Sequence, residues 1–254
     1  MTSTLGLDEY TTASLIFLAG SALIAGLARR FSGFGSALIF MPLASTVISA
    51  QVAAPLLLII DIVTAMPLIP RALQHADKRD ATIMAAGALI GAPLGAWALT
   101  QMDPLTIRWT IVILAVPMLA VLMSGWRYLG ERTPFLTSCV GSVAGFFGGV
   151  AQVGGPPIVL YWMRDGAAMV MRANIILYFA MSSVIIGVSY FASGILSGSV
   201  ISLAVVMGPI FGIGIWLGSH MFGLASEATF QRVCYALIAI AAIVSLPILD
   251  GILR

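Results

Sequence analysis

Apolar residues run along this chain in blocks rather than in the stripes of a soluble helix or the alternation of a half-buried strand. The blocks fall near residues 11–28, 36–49, 52–71, 81–99 and 105–124, and a second set near 135–150, 156–163, 173–192, 199–217 and 230–249. The polar stretch from Arg127 to Pro134 separates the sets. A bilayer span needs roughly 20 apolar residues. Backbone polar groups in hydrocarbon must be satisfied internally, so each block is expected to be helical. The second block of each set is too short to span alone.

The two sets match at an offset of about 120 residues: Gly20-Ser21 against Gly141-Ser142, and Gly87 and Gly91 against Gly208 and Gly212. Arg108 and Arg232 continue the match early in the last helix of each half. This is an internal duplication, with 11–124 as one repeat and 135–249 as the other within one membrane domain. Each half makes an odd number of crossings, five or three, so the halves are expected to be inverted. The fold class that follows is an all-α polytopic membrane protein of two inverted repeats of about five helical segments. The first two segments of each repeat form a broken-helix hairpin, the layout of many secondary transporters.

Composition agrees. Hydrophobic residues make up 60% of the 254 and charged ones 9%, and mean hydropathy is +1.07, far from a soluble domain. The net charge of +2 comes from twelve basic and ten acidic residues, which gives no reason to expect a nucleic acid. The basic positions set orientation, since cytoplasmic loops are enriched in Lys and Arg. Arg71, Lys78 and Arg79 mark one cytoplasmic loop, and threading from there puts Arg127, Arg132, Arg164 and Arg172 on the same side. Both termini then fall on the periplasmic side of a bacterial inner membrane. The first 28 residues hold no Lys or Arg, unlike a removed signal peptide. Cys139 and Cys234 stand in separate apolar segments and read as small membrane-core residues. His75 and His220 have no metal-ligand spacing, so neither metal nor other cofactor is expected.

Both short blocks are entered through glycine-rich breaks, Arg29-Arg30-Phe31-Ser32-Gly33-Phe34-Gly35-Ser36 and Gly148-Gly149-Val150-Ala151-Gln152-Val153-Gly154-Gly155-Pro156-Pro157. Irregular backbone at membrane depth survives only buried in protein or lining a wet cavity. A new helix is expected to begin at Ser36 and at Pro156, with unpaired N–H groups and the positive end of its dipole offered to an anion. Gly33, Gly35, Gly154 and Gly155 are expected to use positive φ, and Pro156 suits a first helical position. Two facing helix starts would make an anion cradle; the plain alternative is a structural hairpin tip.

Arg29 and Arg30 follow about 18 residues of helix, and either can neutralise an anionic substrate or anchor the helix to headgroups. Asp61, ten residues before Arg71, is the carboxylate placed near the midplane. It is the candidate proton-coupling group, unless an ion pair or hydrogen bond fixes it. Gln152, Tyr161, Trp162, Asn174 and Tyr178 are further candidate ligand contacts. Glycines at four-residue spacing, Gly87-Gly91-Gly95 and Gly141-Gly145-Gly149, allow close helix approach.

The motif Ser32-Gly33-Phe34-Gly35-Ser36 with Pro42, the motif Gly154-Gly155-Pro156-Pro157 with Tyr161, and Arg172-Ala173-Asn174 with Tyr178 resemble the TauE/SafE sulfite-exporter family of membrane permeases. Many members carry three glycines in a row at the first break, where this chain has Gly33-Phe34-Gly35-Ser36. The resemblance implies a substrate among sulfite, sulfonates and related organosulfur anions, and it alone implies export. The expected function is a non-enzymatic secondary transporter whose partners are that anion and membrane lipid. A homodimer through the glycine faces is left open. The rival readings are a cation permease using Asp61, an intramembrane serine hydrolase using Ser36, which would need a nearby base, and a purely structural membrane subunit.

Overall fold

The computed structural model describes residues 10–32, 35–125, 128, 130–163, 168–221 and 227–249. Among them are eleven α-helices: α1 (Thr12–Ser32), α2 (Ser36–Ala44), α3 (Ala50–Ala65), α4 (Ile69–His75), α5 (Lys78–Gln101), α6 (Pro104–Ser124), α7 (Pro134–Ala151), α8 (Gly155–Trp162), α9 (Ala168–Ala192), α10 (Gly198–Met221) and α11 (Glu227–Val244). The block expected as one helix over 52–71 is instead two, α3 and α4, joined by a 3-10 turn at Met66–Leu68. Pro67 and Pro70 lack the N–H groups that would bond Val63 and Met66, so the α-helical ladder is interrupted there.

Seven segments among the described residues are long and apolar enough to cross a bilayer, the second of them running through α3 and α4 from Ala50 to His75. The chain is a multi-pass membrane protein. Helices α2 and α8 have nine and eight residues, about 12 to 14 Å of rise against roughly 30 Å of hydrocarbon. Starts are capped by local chemistry. The Thr133 hydroxyl accepts the Leu136 N–H at 3.2 Å ahead of Pro134. Asp77 accepts the Asp80 N–H at 3.1 Å, and Asp103 accepts the Thr106 N–H at 3.0 Å. Each satisfies a donor that the helix itself leaves orphaned.

The helices fall into two compact units, and each unit draws on both halves of the sequence. One contains α1, α2, most of α3, most of α6, α10 and α11; the other contains the end of α3, α4, α5, α7, α8 and α9. In the first, α1 runs along α10 and also meets α2 and α11. A Cβ on Gly26 would strike the Phe211 carbonyl, and one on Gly214 the Leu23 carbonyl. Arg108 of α6 donates to the Ser245 carbonyl just past α11 at 3.1 Å.

In the second unit α5 lies along α7, with α9 against both. The two glycine stripes face each other. Gly87, Gly91 and Gly95 sit against the backbone of Ser138, Ser142 and Phe146, while Gly141, Gly145 and Gly149 sit against Met84, Ala88 and Ala92. Helix α5 buries Gly and Ala along this seam and turns Leu89, Ile90, Leu94 and Trp97 outward. Small residues inside and large apolar ones outside is the arrangement lipid favours, because tight backbone packing rather than water exclusion holds the helices together. Under the duplication read from the sequence, α1 on α10 and α7 on α5 are the same pairing, made once in each unit.

Candidate functional site

Helix α1 carries Arg29 into its last turn, and α2 starts at Ser36 with Gly35 as its N-cap. Arg29 Nη1 donates to Ser36 Oγ at 3.4 Å, a long bond; Ser36 is buried and Arg29 partly so. A guanidinium, a hydroxyl and the first turn of a helix therefore meet at one point. The last turn of α1 favours a cation, and the first turn of α2 favours an anion. Arg30 and Ser32 belong to α1, but their side chains lie outside the description, and Gly33 and Phe34 lie outside the described residues.

The second break is built differently from the expectation. Gly35 and Gly154 have φ of −76° and −74°, in the right-handed region. The left-handed position falls on Gln152, with φ 59° and ψ 14°. Gln152 is the residue just past α7, and its N–H bonds the Gly148 carbonyl at 2.8 Å, the usual left-handed helix cap. What glycine supplies at 154 is space: a Cβ there would lie 2.5 Å from the Ala144 carbonyl oxygen. The first helical residue of α8 is Gly155, with Pro156 second and Pro157 third. Two prolines remove two of the N–H groups a helix start normally offers, so Gly154 and Gly155 carry the remaining donors of this turn.

Tyr190, which the sequence reading did not single out, organises the break. Its side chain is fully buried, its hydroxyl donates to the Gly149 carbonyl at 2.8 Å, and it accepts from Gln152 Nε2 at 3.2 Å. A second cluster surrounds the far end of α8 and gives Tyr161 and Trp162, expected as ligand contacts, partners within the protein. Asp80 takes the Trp162 indole N–H at 2.6 Å and the Thr137 hydroxyl at 3.3 Å. Thr137 also bonds the Tyr161 hydroxyl at 2.5 Å. Arg132 lies 5.6 Å over the Tyr161 ring, and Tyr128 stacks on it at 5.8 Å.

The remaining expected contacts have partners within the protein. Asn174 accepts the Asp77 N–H at 2.7 Å and so completes the cap of α5. Tyr178 donates to the Gly141 carbonyl at 3.2 Å and braces the glycine seam. Asp61 is partly buried in α3, eleven residues after Ala50 and fourteen before His75 in the apolar segment that runs through α3 and α4. Cys139 and Cys234 are both free thiols, but only Cys234 is buried; Cys139 is exposed, because the opposite face of α7 is the one that packs. Among the described residues no three His, Cys, Asp or Glu gather to hold a metal. The contact to Ser36 comes from a guanidinium, a donor only, which supplies no base for a serine nucleophile.

Half-length helices entered through breaks, with large apolar residues turned outward, are features that many membrane transporters share. Within that class the assignment is specific. The family described as Sulfite exporter TauE/SafE matches residues 18–245, and the chain belongs to it. The resemblance carried by the two break motifs thus extends over nearly the whole chain, and the protein is a membrane transporter of a family that handles sulfite and related sulfur anions. No curated protein and no solved structure matches the chain.

Proposed function

We propose that this protein is a secondary transporter that exports a small organosulfur anion, sulfite or an organosulfonate, across the bacterial inner membrane. The observation that carries the reading is the convergence of Arg29, the Ser36 hydroxyl and the start of α2. An oxyanion there takes charge-assisted bonds from the guanidinium and N–H bonds from the helix start, and a cation gains nothing from either. In the other unit, the second break offers an anion the Gly154 and Gly155 N–H groups and the Gln152 carboxamide. Asp61 is the proton-coupling group; what supports this is that its carboxylate falls well inside a segment long and apolar enough to cross the bilayer. Reciprocal packing of α1 on α10 and α7 on α5 supports the duplication, and the Lys and Arg residues of the loops support periplasmic termini.

The test is thermal stability of the purified protein with sulfite, alkanesulfonates, thiosulfate, carboxylates, phosphate and alkali cations. A ligand at about a hundred times its Kd stabilises the folded state by ~2.7 kcal/mol, several degrees in Tm. The expected result is a rise with a sulfur oxyanion that Arg29→Ala and Ser36→Ala each reduce. A rise with a cation alone would overturn the reading.

A further inference from the structure

Helix α7 stops at Ala151 although nothing in its side chains forces it to, and the way it stops depends on a residue of another helix. In an uninterrupted helix the Gly149 carbonyl would accept from the Val153 N–H. Here that N–H donates to the Phe147 carbonyl at 3.2 Å instead. The Gly149 carbonyl receives the Tyr190 hydroxyl at 2.8 Å. Without that bond an acceptor would be left unsatisfied at membrane depth, where it is costly.

The same hydroxyl fixes the next residue. A phenol has one proton, and Tyr190 commits it to Gly149, with the Gly148 carbonyl farther off at 3.5 Å. Toward Gln152 the oxygen can therefore only accept, so the carboxamide must present its NH2 group, the contact at 3.2 Å. That sets which way the amide points, leaving one N–H and Oε1 for other partners. Gln152 needs the support, because a non-glycine residue at φ 59° is strained relative to a right-handed one. Tyr190 is itself rigid: its ring is fully buried and it stands on the 25-residue helix α9.

We propose that Tyr190 is a positioning residue for transport. Through one hydroxyl it ends α7, holds Gln152 in the left-handed conformation and orients its carboxamide, so that Gln152, Gly154 and Gly155 meet the substrate in a single arrangement. This rests on reading the second break as part of the anion site. Tyr190 does not touch the anion; it acts through Gln152 and the backbone.

The experiment measures sulfite flux in proteoliposomes and hydrogen exchange over residues 147–158 for wild type, Tyr190→Phe, Gln152→Gly and the double variant. Ser189→Ala, whose hydroxyl bonds only within α9, is the control. Phenylalanine keeps the buried ring and removes only the hydroxyl. The expected result for Tyr190→Phe is faster exchange at the break, KM raised about tenfold or more, and kcat within about twofold. Glycine takes the left-handed conformation without strain. The double variant should therefore raise KM by less than the product of the two single effects, since part of what Tyr190 does passes through Gln152. A merely structural tyrosine would lower the amount of active protein, and kcat with it, at unchanged KM. Unchanged KM in Tyr190→Phe, or additive effects in the double variant, overturns the proposal. If wild type moves no sulfite or alkanesulfonate, the functional reading itself has failed, a result visible before any variant is compared.

Discussion

Gly91 and Gly212 hold equivalent places in the two halves of the sequence, yet alanine should have opposite effects at the two. A Cβ on Gly91 would run into the Ser142 carbonyl oxygen, with the Ser142 carbonyl carbon at 2.7 Å and the Phe146 nitrogen at 2.8 Å. Ordinary contact begins at 3.4 Å, so clearing the carbonyl carbon alone takes a retreat of α7 by about 0.7 Å, and clearing the oxygen takes more. The obstacle is backbone, which cannot rotate aside as a side chain can. Retreat also loosens Gly87 against Ser138 and Gly145 against Ala88, which share the seam. Overpacking of this kind costs about 1 to 3 kcal/mol, and the helix preference of alanine over glycine offsets up to about 1 kcal/mol. The net expectation for Gly91→Ala is destabilisation by about 1 to 2 kcal/mol. At Gly212 nothing lies within 4 Å of the added carbon, so only the helix preference acts and Gly212→Ala should be neutral or slightly stabilised. Equilibrium unfolding of both variants in mixed micelles with rising SDS measures the difference. Equal stability of the two variants would refute the packing argument.

Other expectations follow from single contacts. Trp162→Phe removes the indole donor from Asp80 and should cost about 1.5 to 3 kcal/mol in the same assay, as hydrogen bonds to charged groups do. Asp61→Asn should abolish proton-driven accumulation of sulfite in vesicles while leaving its counterflow exchange intact; accumulation at the wild-type level would remove Asp61 from the coupling path. The Asp103 carboxyl, in the loop before α6, is held below its ordinary pKa by the Thr106 hydroxyl and then the Thr106 N–H. A carboxyl lowered in the folded state stabilises above its unfolded pKa and loses that contribution as pH falls through the folded value. The stability gap between wild type and Asp103→Ala should accordingly narrow on acidification below about pH 4, and a gap that widened would show the sign to be wrong.

Most of the helical layout was legible in the sequence because hydropathy is a strong signal in a membrane protein. Nine of the ten apolar blocks became single helices and the block over 52–71 became two, and the shortness of 36–49 and 156–163 already marked α2 and α8 as half-length. Glycines at four-residue spacing announced a seam, and the two stripes proved to be each other's partners. Pairing across the chain was not legible. Nothing in hydropathy says that α7 packs on α5, or α1 on α10, since any small-residue face suits any other. At the breaks, a count of glycines suggested where φ turns positive, but the left-handed residue is Gln152, stabilised by a tyrosine 38 positions away. In the sequence Tyr190 is an aromatic inside an apolar block and Asp80 a carboxylate beside Lys78 and Arg79, with nothing to link either to a break. Only the folded chain shows that the first closes α7 and the second anchors Trp162.

Whether Arg29 holds a sulfur oxyanion in transit is measured by flux of radiolabelled sulfite and of an alkanesulfonate through the purified protein in liposomes, wild type beside Arg29→Gln. Saturable, mutually competing flux is expected in wild type and its loss in Arg29→Gln, with the variant still folded and inserted. Flux that is indifferent to Arg29, or that carries a cation in place of the sulfur anions, would contradict that role.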